Sequence, residues 1–298
     1  MTVLKKIARR LRYYVKGPPA HASYDYKIPD AGSQLALSMA YRQLAASGAA
    51  LPTFKEVGFK AYSQLDEDGI LLFIFSILGV TNKKCVEICA GDGMECNTAN
   101  LIINHGWNGL LFDGDPESVR KGNAFYQSNK ATFIDPPIFV CSWIKRDTVN
   151  DLVEKNGFKG EIDLLSLDLD GVDYWIWKAL EIITPRVVVL EYQDIIGPEK
   201  SLTVPYADDF NAYAHPTTRD MPNFCGASLP AFVKLARQKG YRLVGCNRSG
   251  FNAFFIRNGI ADHQIPEIPI ADCFQHDKVL WGMKHRWPTV QSHPWVEV

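Results

Sequence analysis

The sequence predicts an α/β fold: one seven-stranded, mostly parallel sheet with an antiparallel last strand and helices on both faces. Three observations carry this expectation. Five short apolar runs, Val86 to Cys89, Leu110 to Phe112, Phe139 to Cys141, Leu164 to Leu169 and Val187 to Tyr192, alternate with helix-like stretches. Runs so uniformly apolar behave as parallel strands covered by helices on both sides. Ser228 to Lys239 then reads as a helix closed by Gly240, and Tyr241 to Cys246 and Phe251 to Arg257 as strands joined by the turn Asn247 to Gly250. A hairpin placed after a helix makes the last strand antiparallel. The third observation is Cys85-Val86-Glu87-Ile88-Cys89-Ala90-Gly91-Asp92-Gly93, a buried strand running into a glycine turn, followed by a second strand tipped with Asp113. That half of a doubly wound sheet holds a nucleoside, the carboxylate accepting from a ribose diol.

In chain order, residues 4 to 16 place Leu4, Ile7, Ala8, Leu11 and Val15 on one helical stripe, with Lys5, Lys6, Arg9, Arg10, Arg12 and Lys16 around the rest. Gly17-Pro18-Pro19 stops this helix. Two readings stand: contact with an anionic membrane surface, or docking of the stripe on the domain or on a second subunit of a homo-oligomer. Residues 18 to 33 read as a linker and 34 to 48 as a second helix. Ser63 is placed to cap a helix that continues through Ile70 to Leu78 and has an acidic first turn. The helix-like stretches between the strands are Thr98 to Asn104, Pro116 to Tyr126, Val149 to Lys155 and Tyr174 to Ile183, and His105-Gly106 closes the first of them. Residues 194 to 227 form a long connection of the kind used as a lid or substrate loop. The tail carries Trp281, Trp287 and Trp295, which suit packing onto the sheet, carbohydrate stacking or a subunit interface. The division expected is residues 1–50, a domain over 51–260 and an extension over 261–298.

With 298 residues and 47% hydrophobic content the chain can bury a full core. A formal net charge of -1 exerts no global pull toward nucleic acid. Seven cysteines, an odd count with several in apolar runs, suit reduced thiols in the cytosol. No apolar stretch is long enough to span a bilayer, so a soluble, cytoplasmic protein is expected, with the inner membrane surface as the place any contact would occur.

Which nucleoside the turn takes is decided by neighbouring residues. Gly91 and Gly93 are present, but the third position of the dinucleotide fingerprint is Cys96, and Glu95 near the following helix is a poor neighbour for a diphosphate. An acid at Glu87 suits a ligand carrying ammonium and sulfonium charges, as S-adenosylmethionine does. An NAD-dependent oxidoreductase and a non-catalytic nucleotide- or glycan-binding module are the alternatives from other classes.

The chain resembles the FkbM-type methyltransferase family through Tyr62-Ser63-Gln64, Glu67-Asp68-Gly69-Ile70, Glu87 to Leu101, Gly109 to Asp115, Leu165 to Leu180, Pro185 to Tyr192 and Tyr241 to Phe255. The resemblance implies a Rossmann-like class I fold and an S-adenosylmethionine cofactor. It places Glu87, Gly91 and Gly93 around the methionine moiety, Asp113 on the ribose and Ser142-Trp143 beside the adenine. Asn97 divides between ligand contact and packing, and Gln64 is a candidate for reaching in from the preceding helix. The acceptor it implies is a sugar hydroxyl on a small molecule or glycan. Open sheets present reactive groups at their carboxyl ends, here Asp168 and Asp170 after the fourth strand and Glu191 after the fifth. In one reading an aspartate orients the acceptor while a carboxylate or His215 takes its proton; in the other Asp168, Asp170 and Glu191 hold Mg²⁺. Asp173 reads as a cap.

Overall fold

The computed structural model describes residues 30–212 and 223–298. The basic segment 4–16 and His215 lie outside the described residues.

Seven strands form one sheet: β1 (Lys84–Ile88), β2 (Asn108–Asp113), β3 (Ile138–Cys141), β4 (Gly160–Leu167), β5 (Ile183–Glu191), β7 (Tyr241–Cys246) and β8 (Asn252–Arg257), in the order β3-β2-β1-β4-β5-β8-β7. The five N-terminal strands are parallel, and β8 pairs antiparallel with both β5 and β7. Alternation along each strand assigns the two layers. Val86, Ile88, Leu110, Phe112, Leu165 and Val188 face α6 (Val149–Lys155), α7 (Asp173–Ala179) and α8 (Leu229–Lys239), around Trp177 and Phe232. Cys85, Leu111, Leu164, Val187 and Phe254 face α3 (Glu67–Leu78), α4 (Ala99–His105) and α5 (Pro116–Ser128). Helix α3 is buried continuously from Glu67 to Ser76, as its all-round apolar sequence requires.

α1 (Ala31–Ser47) covers the outer side of α3, with Tyr41 edge-on to Phe73 at 5.1 Å between ring centroids. Its buried residues are polar: Gln34 pairs with Asn100 of α4 at 3.0 Å, and the Ser38 and Ser76 hydroxyls lie 2.8 Å apart. A one-turn α2 (Phe54–Val57) leads on to α3. The tail adds α9 (Asp277–His285), α10 (Trp287–Val290) and β9 (Val296–Glu297), which pairs antiparallel with β6 (Leu202–Thr203) in the long connection after β5.

Two local expectations are corrected. α3 starts at Glu67 with Asp66, not Ser63, at the cap position; Ser63 lies three residues earlier, its hydroxyl accepting from the Asp68 N–H at 3.2 Å. The cause is Asp68, whose Oδ2 collects the N–H groups of Ala61, Tyr62 and Ser63 at 2.6–2.7 Å and folds that loop inward. α7 ends at Ala179 instead of Ile183, because the Asn150 amide accepts from the Glu181 and Ile182 N–H groups and releases the chain into β5. The tail tryptophans Trp287 and Trp295, 5.7 Å apart, pack with Ile195, Ile196 and Val290 beyond β5, and Trp295 also packs against the core on one face of the sheet, whereas Trp281 is exposed. The hairpin at β7 and β8 forms as expected, since the Asn247 side chain accepts from the N–H groups of Gly250, Phe251 and Asn252. Among the described residues no helix is long and apolar enough to cross a membrane.

Candidate functional site

The glycine turn follows β1 directly. Gly91 (φ 58°) and Gly93 (φ 69°) both take the left-handed backbone. A Cβ on Gly93 would come within 3.0 Å of the Phe139 and Tyr126 rings, so packing from below demands glycine there. A Cβ on Gly91 would meet nothing within 4 Å, so the space above that residue is open to a ligand.

Glu87, expected beside the methionine moiety, is buried beneath the turn and does not line the cleft. Oε1 accepts from the Asn97 N–H (2.9 Å) and the Ser166 hydroxyl (3.0 Å), and Oε2 from the Thr98 N–H (2.9 Å) and the Thr98 hydroxyl. Four bonds fill the acceptor capacity of a carboxylate, so Glu87 anchors the loop that enters α4. Asn97 belongs to the same anchor, its amide donating to Ser166 at 3.1 Å. Cys96 is buried with its thiol on the Gly93 carbonyl at 3.6 Å. Gln64 is exposed at the outer edge; its carbonyl accepts from Lys60, which in turn pairs with Glu95 at 2.8 Å.

Asp113, at the tip of β2, is buried but not saturated. Oδ2 accepts from the Gly91 N–H at 2.8 Å and, weakly, from the Cys89 thiol at 3.8 Å, and Oδ1 from the Asp115 N–H at 2.8 Å. A thiol is a weak donor that a hydroxyl can displace, which leaves about two acceptor sites for a vicinal diol. They open into a cleft of about 470 Å³, mouth included, whose walls include Cys89, Ser142, Trp143, Leu169 and Phe210. The Trp143 ring lies against Gly114, where a Cβ would approach it to 2.8 Å, and Phe210 stands over Gly171 in the same way at 2.8 Å. Two glycines therefore let aromatic rings close on the cleft from opposite sides.

The roof is clasped to the wall. The Trp143 indole donates to the Asp208 carbonyl (2.8 Å), Lys145 pairs with the Asp208 carboxylate (3.2 Å), and the Tyr206 hydroxyl accepts from the Arg146 N–H (2.9 Å) and donates to Asp208 (2.7 Å). The Arg146 guanidinium sits 4.4 Å from the centre of the Tyr206 ring. The length of the 194–227 connection signals a loop over the site; that Asp208 and Phe210 do the closing has no sequence signature.

The second cluster stands at the ends of β4 and β5. Asp168, Asp170 and Glu191 each bring one carboxylate oxygen to within 4.8 Å of the others. Asp170 is exposed and takes a left-handed backbone (φ 52°). Burial, and then the neighbouring charges of Asp170 and Asp173, push Asp168 up to about 7, although a hydrogen bond shared with Glu191 opposes the rise. Burial followed by the Asp168 charge pushes Glu191 well above the carboxylate range. Asp173 is also raised by burial, to about 6, but its two oxygens accept from the Leu169 N–H (2.6 Å) and the Gly171 N–H (3.0 Å), so it closes the loop. Three oxygens so close, with ionisation resisted by burial and mutual repulsion, fit a hard divalent cation as a donor set.

The raised pKa of Asp168 sets a stability trend. An acid whose pKa is raised on folding contributes stability that is fully present below its unfolded pKa, about 4, and is lost as pH rises through the folded value. Relative to wild type, Asp168→Asn is expected to gain melting temperature as pH rises through about 7. A difference between the two proteins that is constant with pH in thermal unfolding would contradict this.

Neither a protein-family model nor a curated protein sequence matches the chain. Solved structures similar to it include an S-adenosylmethionine-dependent methyltransferase from Clostridium acetobutylicum, at 12% identity over 75% of this chain and 98% of that one, TM-score 0.41. An O-methyltransferase from Bacillus cereus in complex with SAH is 13% identical over 84% of this chain and 96% of that one, TM-score 0.41. Magnesium protoporphyrin IX methyltransferase from Synechocystis, with bound SAM, is 10% identical over 85% of this chain and 91% of that one, TM-score 0.38. Likeness at this level carries no argument about activity. The class of fold rests on the chain's own strand order, with the reversed β8 beside β5 and helices on both faces: it is the Rossmann-like fold of class I methyltransferases.

Proposed function

We propose that this chain is an S-adenosylmethionine-dependent methyltransferase of the FkbM type, transferring a methyl group to a sugar hydroxyl of a glycan, glycolipid or secondary metabolite. The observation that carries the reading is the half-saturated Asp113 opening into a cleft whose neighbouring strand ends hold a raised carboxylate pair. Bound S-adenosylmethionine would supply an electrophilic methyl carbon on sulfur. Asp113 would hold the ribose hydroxyls, Trp143 and Ser142 would border the adenine, and the open side of Gly91 would admit the methionine backbone. Asp168 is then the base: ionising near neutrality, it takes the hydroxyl proton as the oxygen attacks, while Glu191, which keeps its own proton, holds Asp168 in place through their hydrogen bond. The sugar acceptor follows from the family resemblance.

A second reading keeps the cofactor and changes the base. Mg²⁺ on Asp168, Asp170 and Glu191 would lower the pKa of the acceptor hydroxyl, and the 4.8 Å grouping of their oxygens supports it. EDTA separates the two: turnover that survives chelation leaves Asp168 as base, and turnover lost to EDTA and restored by Mg²⁺ assigns the metal.

The class is tested by calorimetry with S-adenosylhomocysteine, NAD and a nucleotide sugar. Binding of S-adenosylhomocysteine alone or with the sugar is expected. Binding of NAD without S-adenosylhomocysteine would overturn the proposal in favour of an oxidoreductase, and a nucleotide sugar alone would favour a binding module.

A further inference from the structure

Helix α1 is packed with its polarity inverted. Gln34 and Ser38 are buried, whereas Leu35 is 55% and Met39 69% exposed, with Leu37 and Leu44 each at 37%. Four of the eleven large apolar side chains exposed among the described residues fall on this one helix. Across its 17 residues the only charge is Arg42. Leu35 and Met39 share one flank of α1 and Leu37 and Leu44 the other, with Ala36 and Ala40 between them; ordinary solvated helices carry charge on that outward arc, so this one is built to be covered.

The chain that leads into α1 indicates what covers it. Residues 1–24 contain six cations, Lys5, Lys6, Arg9, Arg10, Arg12 and Lys16, and no acid, with Leu4, Ile7, Ala8, Leu11 and Val15 at helical spacing among them. We infer that the outer face of α1 docks on an anionic lipid bilayer, the leading segment supplying attraction to the headgroups and α1 a rigid apolar surface fixed to the sheet through α3. Polybasic charge and one apolar face are each weak anchors alone and together make a stable one.

The test is flotation of the full chain with vesicles of phosphatidylcholine alone and of phosphatidylcholine with equimolar phosphatidylglycerol. Binding is expected on the anionic vesicles alone and should weaken as salt is raised. Leu35→Gln combined with Met39→Gln is expected to weaken that binding at least about tenfold while the melting temperature stays within a few degrees of wild type, both side chains being solvent-exposed in the free protein. Leu35→Glu with Met39→Glu should weaken it further. Wild-type protein that ignores anionic vesicles, or Gln and Glu variants that float as wild type does, would overturn the inference. So would a wild-type dimer in sedimentation that these variants dissociate, which would make the face a subunit interface.

Discussion

Asp168→Asn is expected to lower kcat by about 10²- to 10⁴-fold, the usual worth of a positioned base, while S-adenosylhomocysteine affinity stays near wild type. The expectation rests on a division of labour among four nearby acids. Asp173 has both oxygens engaged by backbone N–H groups, and burial, then the Asp168 charge, push Glu191 well above the carboxylate range. Asp168 alone is pushed up to about 7, where a carboxylate is both largely ionised in the physiological range and basic enough to take a proton. The wild-type kcat/KM should therefore rise with pH and level off above about 7, and the variant should lack that limb. Wild-type turnover in Asp168→Asn would remove this residue from the chemistry. Asp170→Asn separates base from metal: under the Mg²⁺ reading it also abolishes turnover and the response to added Mg²⁺.

The second large effect belongs to the cofactor. Asp113→Ala is expected to weaken S-adenosylhomocysteine binding by about 10²- to 10⁴-fold, since each of two hydrogen bonds to a charged group is worth about 1.5–3 kcal/mol. The same substitution strips partners from the Gly91 and Asp115 N–H groups and so loosens the turn. Asp113→Asn tells the two causes apart: its carbonyl oxygen can serve one backbone N–H, and affinity should fall between wild type and alanine. Calorimetry on both variants measures this, and affinities equal to wild type in both would remove Asp113 from the ribose role.

The sheet and its reversed last strand were legible because burial on both faces leaves unbroken apolar runs, and because Gly240 and Asn247 mark where a helix stops and a hairpin turns. Asp113 was legible too, as an acid at a strand tip. The bonding of Glu87 was not legible for a physical reason: alternation puts it on the face toward α4, where Asn97, Thr98 and Ser166 engage it, and those partners are 10 to 79 residues away in sequence. The same limit hid the inversion of α1. Gln34 and Ser38 look like surface residues until Asn100 and Ser76, 66 and 38 positions distant, arrive to bond them.

The clasp over the cleft has a consequence in time. Ala207 and Phe210 line the cleft proposed for the nucleoside, and the loop that carries them is held by a handful of contacts on the exposed rim, from Trp143, Lys145 and Arg146 to Tyr206 and Asp208. Under the proposed function, the residence time of a bound nucleoside would be set at the rim and not by the depth of the cleft. Salt, by weakening the exposed Lys145–Asp208 pair, should quicken exchange while leaving the buried Asp113 contacts untouched.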